Sequence, residues 1–194
     1  MPAYSYPTPN SVLKQQLSLL EHPEGGYFAE TDLRVEMTTC ACCPDGEHRS
    51  LATQIYYLLD SQSPKGRLHL NKSTTYHLLH NGRACYTLVR PSANKGKKPE
   101  IKQVTVGEDI EKGELRQLIV EGGWWKASEL PQEDLVAGEE EKTGCLISEV
   151  VVPGFDWHDH AFLTEKGLLD LFAGDKEDEW YKKLLSYCKP DEEE

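Results

Sequence analysis

Residues 51–90 read LATQIYYLLDSQSPKGRLHLNKSTTYHLLHNGRACYTLVR, and this stretch decides the fold class. It contains four short runs of β-forming residues, at 51–59, 67–71, 74–80 and 83–90. Turn residues separate the runs, among them Gly66 and the pair Asn81-Gly82. Short runs bounded by such residues predict β-strands joined by tight turns.

The same pattern continues on both sides of this stretch, from residue 27 to residue 155. Five further β-rich runs are predicted at 27–34, 100–106, 115–120, 124–127 and 145–152. No helical run lies between the predicted strands, whereas a parallel sheet would need long crossover connections. The sequence therefore predicts an all-β domain with antiparallel pairing, in a sandwich, jelly roll or barrel.

Helical patterns occur only near the two ends of the chain. We expect a short helix after Thr8 or Asn10, either of which could cap it, and a helix around residues 168–172. Asp175 is expected to cap a last helix. The predicted organisation is a flexible N-terminus (1–9), one domain (10–188) and an acidic disordered tail (189–194).

Composition limits the class of partner and the location. The 194 residues carry a net charge of −12, which would repel the phosphates of nucleic acid. There is no apolar run of the roughly 18 residues that a membrane span needs, and no signal-peptide pattern at the start. The prediction is a cytoplasmic protein that binds neither nucleic acid nor membrane.

Six cysteines stand at positions 40, 42, 43, 85, 145 and 188, without a regular framework. In a reducing compartment such cysteines are expected to be free thiols. Cys40, Cys42 and Cys43 could suggest a zinc knuckle with His48, but a second ligand pair at suitable spacing is missing. We therefore favour a loop that carries thiols.

Four ordered blocks carry a resemblance to a known family. Residues 22–31, HPEGGYFAET, are similar to the opening signature of the fifth cupin subfamily, long catalogued as a domain of unknown function. The later blocks are QIYYLL (54–59), GRLHLNKSTTYHLLHNG (66–82) and VVVPGFD (150–156). The resemblance covers about residues 10 to 172 and implies the RmlC-like cupin fold. That fold is a double-stranded β-helix, or jelly-roll barrel, here with short N- and C-terminal helices.

Metal-dependent cupins share a ligand pattern that this chain does not preserve. They carry His-x-His, then a Glu, with a fourth His on a later hairpin. His69 fits the first position, but Asn71, Thr75 and Lys126 stand at the others, and these side chains bind transition metals poorly. No metal and no cofactor is predicted. The most that could be assembled is a weak site from His69 and His77.

The same substitutions predict a polar pocket. His69 and Tyr86 are the candidate catalytic residues, as a base and an acid. Candidate ligand-binding residues are Glu30, Asn71, Thr75, His77, Trp124 and Lys126. Lys126 favours an anionic group, and Trp124 or Trp125 would form a wall for a flat or sugar-like ligand.

The segment His158-Asp159-His160 has the His-x-His form without a third ligand nearby. A polar loop, or a late strand at the mouth of the barrel, is the preferred interpretation. Asp156 or Asp159 could orient one of the histidines.

The leading hypothesis is a metal-independent cupin that binds a small anionic or sugar-like molecule. One alternative is a metal-free sugar-nucleotide epimerase or isomerase, because residues 66–71 loosely resemble a stretch of the dehydrorhamnose epimerases. Another is a non-catalytic ligand-binding or storage cupin. A homodimer is predicted, with residues 27–34 as the contact, since edge strands are often covered by a second subunit.

Overall fold

The computed structural model describes residues 8–40, 47–94 and 96–190, and most of its strands form two facing antiparallel sheets. The strands are β1 (Leu20–Glu21), β2 (Tyr27–Leu33), β3 (Met37–Thr39), β4 (His48–Ser50), β5 (Thr53–Asp60), β6 (His69–Asn71), β7 (Thr74–Gly82), β8 (Ala84–Arg90), β9 (Glu100–Val106), β10 (Gln117–Val120), β11 (Trp125–Glu129), β12 (Gly144–Val152) and β13 (His160–Phe162). The α-helices are α1 (Asn10–Gln16), α2 (Glu165–Leu171) and α3 (Glu179–Leu184). Short 3-10 helices lie at Ile110–Lys112, Gln132–Asp134, Glu140–Lys142, Trp157–Asp159 and Leu185–Tyr187.

The two sheets have the topology of a jelly roll. The six-stranded sheet has the order β1-β2-β5-β12-β7-β10, and the five-stranded sheet has the order β13-β6-β11-β8-β9. β3 and β4 form a separate hairpin. Strands that are distant in sequence lie side by side, as in a cupin, so the predicted all-β jelly-roll fold is confirmed.

Each of the nine predicted strands overlaps an observed strand, and four short strands were not predicted. Those four are β1, β3, β4 and β13, with two or three residues each. A strand of this length is too short to show an alternation of polar and apolar residues. β13 matters most for function, because it corresponds to the late strand that was one interpretation of residues 158–160.

Three layers of apolar side chains hold the sheets and helices together. The space between the sheets is filled around Tyr57, Tyr86 and Ile147. The C-terminal helices cover the outer face of the five-stranded sheet, where Leu168 and Leu184 are fully buried. α1 packs with the neighbouring Leu19 on the outer face of the six-stranded sheet. The helices therefore cover only the outer faces of the two sheets, so any site between the sheets is built from strands and loops.

Two predicted helix caps were wrong. Pro9 precedes α1 without a side-chain cap, and the side chain of Asn10 instead donates hydrogen bonds to the carbonyls of Glu140 and Thr143. Asp178, rather than Asp175, caps α3 and accepts from the amides of Trp180 and Tyr181. Asn10 is buried, so a long-range contact decides its role, and local sequence does not show it.

The expectation of free thiols holds for Cys85 and Cys145 and is wrong for Cys40, which is disulfide-bonded. Cys42 and Cys43 lie outside the described residues, as do residues 1–7 of the predicted flexible N-terminus and 191–194 of the predicted tail. The helices that the structure describes are all too short or too polar to span a lipid bilayer.

The homodimer stays a prediction. β1 pairs with β2 only at Tyr27 and Phe28, and within the described chain no strand pairs with that edge of β2 beyond Phe28. Leu33, which is exposed, lies at the end of β2. An unpaired edge of this kind is where a second subunit could add a strand.

Two adjacent glycines make the turn between β10 and β11, which packs on the turn between β6 and β7. Gly122 packs so closely on the β6–β7 turn that an added β-carbon would overlap the backbone carbonyl of Lys72. Gly123 has a positive φ of 84° but open space around it. Its amide donates to the carbonyl of Asn71. Gly122 is therefore needed because the backbone of Lys72 leaves no room for a side chain, and Gly123 because of its positive φ.

We expect Gly122→Ala to destabilise the protein by about 3 kcal/mol, because a backbone clash forces two turns apart. Gly123→Ala is the matched control and should cost only about 1 kcal/mol, for its left-handed conformation. Urea denaturation of both variants measures the two losses. Equal losses would show that the contact with Lys72 carries no special weight.

Candidate functional site

A cavity of about 180 Å³ opens between the sheets. Its walls come from the loop before β2, from strands β2, β5, β6 and β12, and from the segment after β12. The lining residues are His22, Glu24, Phe28, Glu30, Thr53, Ile55, Asn71, Glu149, Val151, Phe155 and Trp157.

Strand alternation explains most of this lining. Successive side chains on a strand point to opposite faces, so Phe28 and Glu30 of β2 share the inner face. Thr53 and Ile55 do so on β5. Glu149 follows the same alternation on β12, where its backbone partner on β5 is Ile55. A carboxylate is therefore carried into the interior by a strand that is otherwise apolar.

Beneath the cavity, Lys126 joins the two sheets. Its Nζ donates to Nε2 of His77 at 2.8 Å and to Oε2 of Glu149 at 3.1 Å. His77 and Glu149 are neighbours across β7 and β12, whereas Lys126 comes from β11 in the opposite sheet. Because Nε2 of His77 accepts this bond, its Nδ1 carries the proton and faces the carbonyl of Leu118 at 3.3 Å.

Burial sets the protonation states of this cluster. Only 3% of Lys126 and none of His77 is exposed. Burial, assisted by the Lys126 charge, lowers the pKa of His77. Burial alone would raise the pKa of the Glu149 carboxyl, but the charge of Lys126 holds it well below its usual range. The cluster is thus an ammonium–carboxylate pair with a neutral imidazole.

Glu24 occupies a second buried position at the cavity, on the loop between β1 and β2. The loop is held by the Tyr57 hydroxyl, which donates to the carbonyl of Gly25 at 2.8 Å. Glu24 Oε1 accepts from Nε2 of His160 on β13 at 2.8 Å. Burial alone would raise the pKa of the Glu24 carboxyl, but His69 and the hydrogen bond from His160 lower it to about 2. Glu24 is therefore ionised.

His69 lies on the other side of Glu24 and stacks with His160, with ring centres 5.5 Å apart. Its Nδ1 donates to the carbonyl of Arg67 at 2.8 Å, so Nε2 carries no proton in the neutral ring. That Nε2 lies 3.2 Å from Glu24 Oε2 but makes no hydrogen bond. Burial lowers the pKa of His69 to about 4, with Lys126 acting in the same direction and Glu24 opposing it.

An aromatic wall forms the mouth of the cavity. Phe155 and Trp157 pack edge to face at 5.0 Å, and Trp157 packs against His160 at 5.1 Å. Trp157 is 55% exposed. The segment is anchored by Arg49, which makes a bidentate contact to Asp159 at 2.7 and 3.2 Å. The wall is therefore exposed but fixed in place.

The donor set does not fit a cupin metal centre. The Lys126 ammonium already takes the lone pair of His77 and one oxygen of Glu149, which are the groups that a metal would need. A cation at this position also repels a divalent ion. Across residues 8–40, 47–94 and 96–190, no three His, Cys, Asp or Glu side chains are arranged to hold a metal.

The predicted site residues fall into three groups. Glu30 and Asn71 line the cavity. The second group lies in packed layers beneath it that have no room for a water molecule, and it comprises His69, Tyr86, Thr75, His77 and Lys126. Trp124 does not line the cavity; it borders the packed layer around Thr75 and Lys126 and packs in the core near Arg90 and Lys102. The catalytic and binding roles of these residues remain predictions.

Sequence reasoning missed the two buried carboxylates and His160. Glu149 is the single charge in the apolar run 145–152, and that isolation is a usable signal. Glu24 lies inside the block 22–31, which was interpreted through its glycines as a tight entry into the first strand. His160 lies 136 positions from its partner Glu24, so only the fold reveals the contact. Of the two proposed orienting carboxylates, Asp156 contacts His158 at 2.7 Å, whereas Asp159 binds Arg49.

Removing the Lys126 ammonium should destabilise the fold, because it leaves Glu149 buried beside an imidazole without its cation. We expect Lys126→Met to cost about 3–5 kcal/mol of unfolding free energy. The double variant Lys126→Met/Glu149→Gln should recover part of that loss. Urea denaturation of both measures the effect, and a loss below about 1 kcal/mol in the single variant would contradict the buried pair.

Stability should fall as the pH decreases from about 6.5 towards 4. Folded His69 has a pKa of about 4, against 6.5 for an ordinary histidine, so the unfolded chain takes up the proton first. The full effect of this residue approaches roughly 3 kcal/mol. His22 and His77 add to it with the same sign.

Chemical denaturation at a series of pH values, for the native chain and for His69→Gln, measures this dependence. The variant should show a shallower loss between pH 6.5 and 4. Glu24, with a pKa of about 2 against 4.5, should extend the decline below pH 4.5 in the native chain, and less so in the variant, because His69 is one of the groups that lower the Glu24 pKa. Identical slopes would mean that His69 is not held neutral by the fold.

Three comparisons place the chain among known proteins. An uncharacterised protein of Saccharomyces cerevisiae, YML079W, is 40% identical over 178 residues, which cover 87% of this chain and 83% of the yeast protein. A hypothetical protein from Leishmania major has a similar structure, with a TM-score of 0.76 and 24% identity over 94% of this chain and 99% of that one. Protein SO0799 from Shewanella oneidensis is also similar in structure, with a TM-score of 0.72 and 20% identity over 94% of this chain and 99% of that one. The model of the family described as cupin superfamily (DUF985) matches residues 12–163, so the chain belongs to that family.

Proposed function

We propose that this chain is a metal-independent cupin that binds a small molecule in the cavity lined by Glu24 and Glu149. The observation that carries the proposal is the pair of ionised carboxylates at a cavity between the sheets. Buried charges are costly unless they are paired, and both are paired from behind. A protein that keeps two such charges at a cavity supports a role in recognition rather than in packing.

The size of the cavity limits the ligand. A protein cavity of roughly 150 Å³ can hold benzene, and this one measures about 180 Å³. A ligand of that size, or slightly larger if it projects past Trp157, would fit. A whole sugar nucleotide would not, so this volume does not support the epimerase alternative.

The position of Lys126 weakens the expectation of an anionic ligand. Its charge is directed at Glu149 and His77, and it does not line the cavity. Polar recognition of a neutral, sugar-like group is still supported by Thr53 and Asn71 on the walls. The Asn71 Oδ1 atom is buried without a hydrogen-bond partner, so it could accept one from a ligand.

Binding is better supported than turnover. His69 and Tyr86, the candidate base and acid, lie under the carboxylates in a layer with no space for a substrate. Burial lowers the pKa of His69 and raises that of Tyr86, which makes a proton transfer between them and a substrate harder near neutral pH. The non-catalytic binding cupin is therefore the form of the proposal that we favour.

Filling the cavity should abolish binding without harming the rest of the fold. Ile55→Trp places a large side chain inside, whereas Gln54→Trp places the same side chain on the opposite face of β5 as a matched control. Thermal shifts would be recorded with a panel of monosaccharides, carboxylic acids and amines. We expect at least one class to stabilise the native chain and the Gln54→Trp variant, but not Ile55→Trp.

Native mass spectrometry of the purified chain provides a second readout, since a retained ligand should be lost in Ile55→Trp. The proposal fails if no class stabilises the native chain. It also fails if Ile55→Trp responds as the native chain does.

A further inference from the structure

The charged groups at the cavity have one sign. Glu24, Glu30 and Glu149 line it, and among the described residues no Lys or Arg does. Lys126 is the cation beneath them and pairs with Glu149. Burial lowers the pKa of three neighbouring imidazoles, those of His22, His69 and His77. Three carboxylates therefore face one ammonium, so the site is negative.

This negative field adds to that of the whole molecule, whose net charge is −12. A cleft lined by one sign of charge between low-dielectric walls concentrates ions of the opposite sign. An anion would have to approach Glu30, which is exposed, before reaching Glu24 and Glu149. The field thus disfavours carboxylates and phosphates as ligands.

The walls of the cavity are aromatic. On one side His22 and Phe28 pack edge to face at 4.5 Å. On the other side Phe155 and Trp157 pack at 5.0 Å, with Trp157 at the solvent end. Aromatic faces attract cations through the ring quadrupole, and tryptophan does so most strongly. Charge and walls point to the same kind of ligand.

We propose that the cavity binds a small organic cation, an ammonium compound, between the aromatic walls and the carboxylates of Glu24, Glu30 and Glu149. The inference rests on the proposed binding function and names its ligand class. Aromatic walls suit the methyl groups of a substituted ammonium, and the carboxylates suit its charge. A cavity of about 180 Å³ has room for such a compound.

Choline and 3,3-dimethylbutan-1-ol make a matched pair of probes, because they differ in shape very little and in charge by one. Isothermal titration calorimetry of the full chain with each measures the contribution of the charge. We expect choline to bind at least tenfold more tightly. Acetate, as an anionic probe, should bind more weakly than either.

Two variants test which groups are responsible. Glu30→Gln keeps the shape of the wall and removes an exposed carboxylate, so choline should weaken at least threefold while the neutral alcohol is unchanged. Asp32→Asn, on the same strand but not lining the cavity, is the matched control and should leave choline affinity within twofold. Trp157→Ala should weaken choline more than the alcohol.

The outcomes separate this inference from the function on which it rests. Equal affinities for choline and the alcohol, both lost in Ile55→Trp, would overturn the proposed preference for a cation and would still support a binding cavity. Tighter binding of acetate, or no binding of choline, would also overturn it. If no class of compound in the thermal-shift panel stabilised the native chain, the binding function itself would be overturned.

Discussion

The Lys126–Glu149–His77 contact is the constraint on which the rest of the site depends. It connects the two sheets through the interior, and its cation is Lys126, the residue that the family resemblance aligned with a metal ligand. An ammonium can satisfy a carboxylate and an imidazole together, as a metal does, but it offers no open coordination position. The charge of Glu149 is thereby balanced inside the fold.

The Lys126–Glu149–His77 contact also affects the cavity above it. Because Lys126 pairs with Glu149 from beneath the cavity, the carboxylate of Glu149 can be ionised at a buried surface without leaving the interior unbalanced. Glu24 reaches the same state by a different route, through His160 on a strand from the other sheet. The two carboxylates are oriented by separate partners within the fold. Under the proposed function, such preorganisation would lower the loss of entropy on binding.

The fold could be predicted from sequence much further than the site. Nine strand-like runs with turn residues between them are local signals, and each matches an observed strand. His69, Asn71, Thr75 and Lys126 were located by resemblance, but their surroundings were not, because burial depends on which strands face each other. Glu30 illustrates the difference: alternation along β2 places it, yet only the closing loop with Glu24 makes it part of a cavity. Local sequence patterns predict the individual strands. The site forms only when residues more than a hundred positions apart come into contact.

The rim of the cavity is anchored separately from the Lys126 cluster. The amide of Gly154 donates to the carbonyl of Ser50, the amide of Phe155 donates to Oγ1 of Thr53, and Arg49 clamps Asp159. These contacts fix the aromatic segment to β4 and β5 and do not involve Lys126. Phe155 and Trp157 also pack against His160, the partner of Glu24, so substitutions there leave the Lys126 cluster intact but reach one of the two buried carboxylates. Under the proposed function, the rim, rather than the Lys126 cluster, is where specificity should be sought.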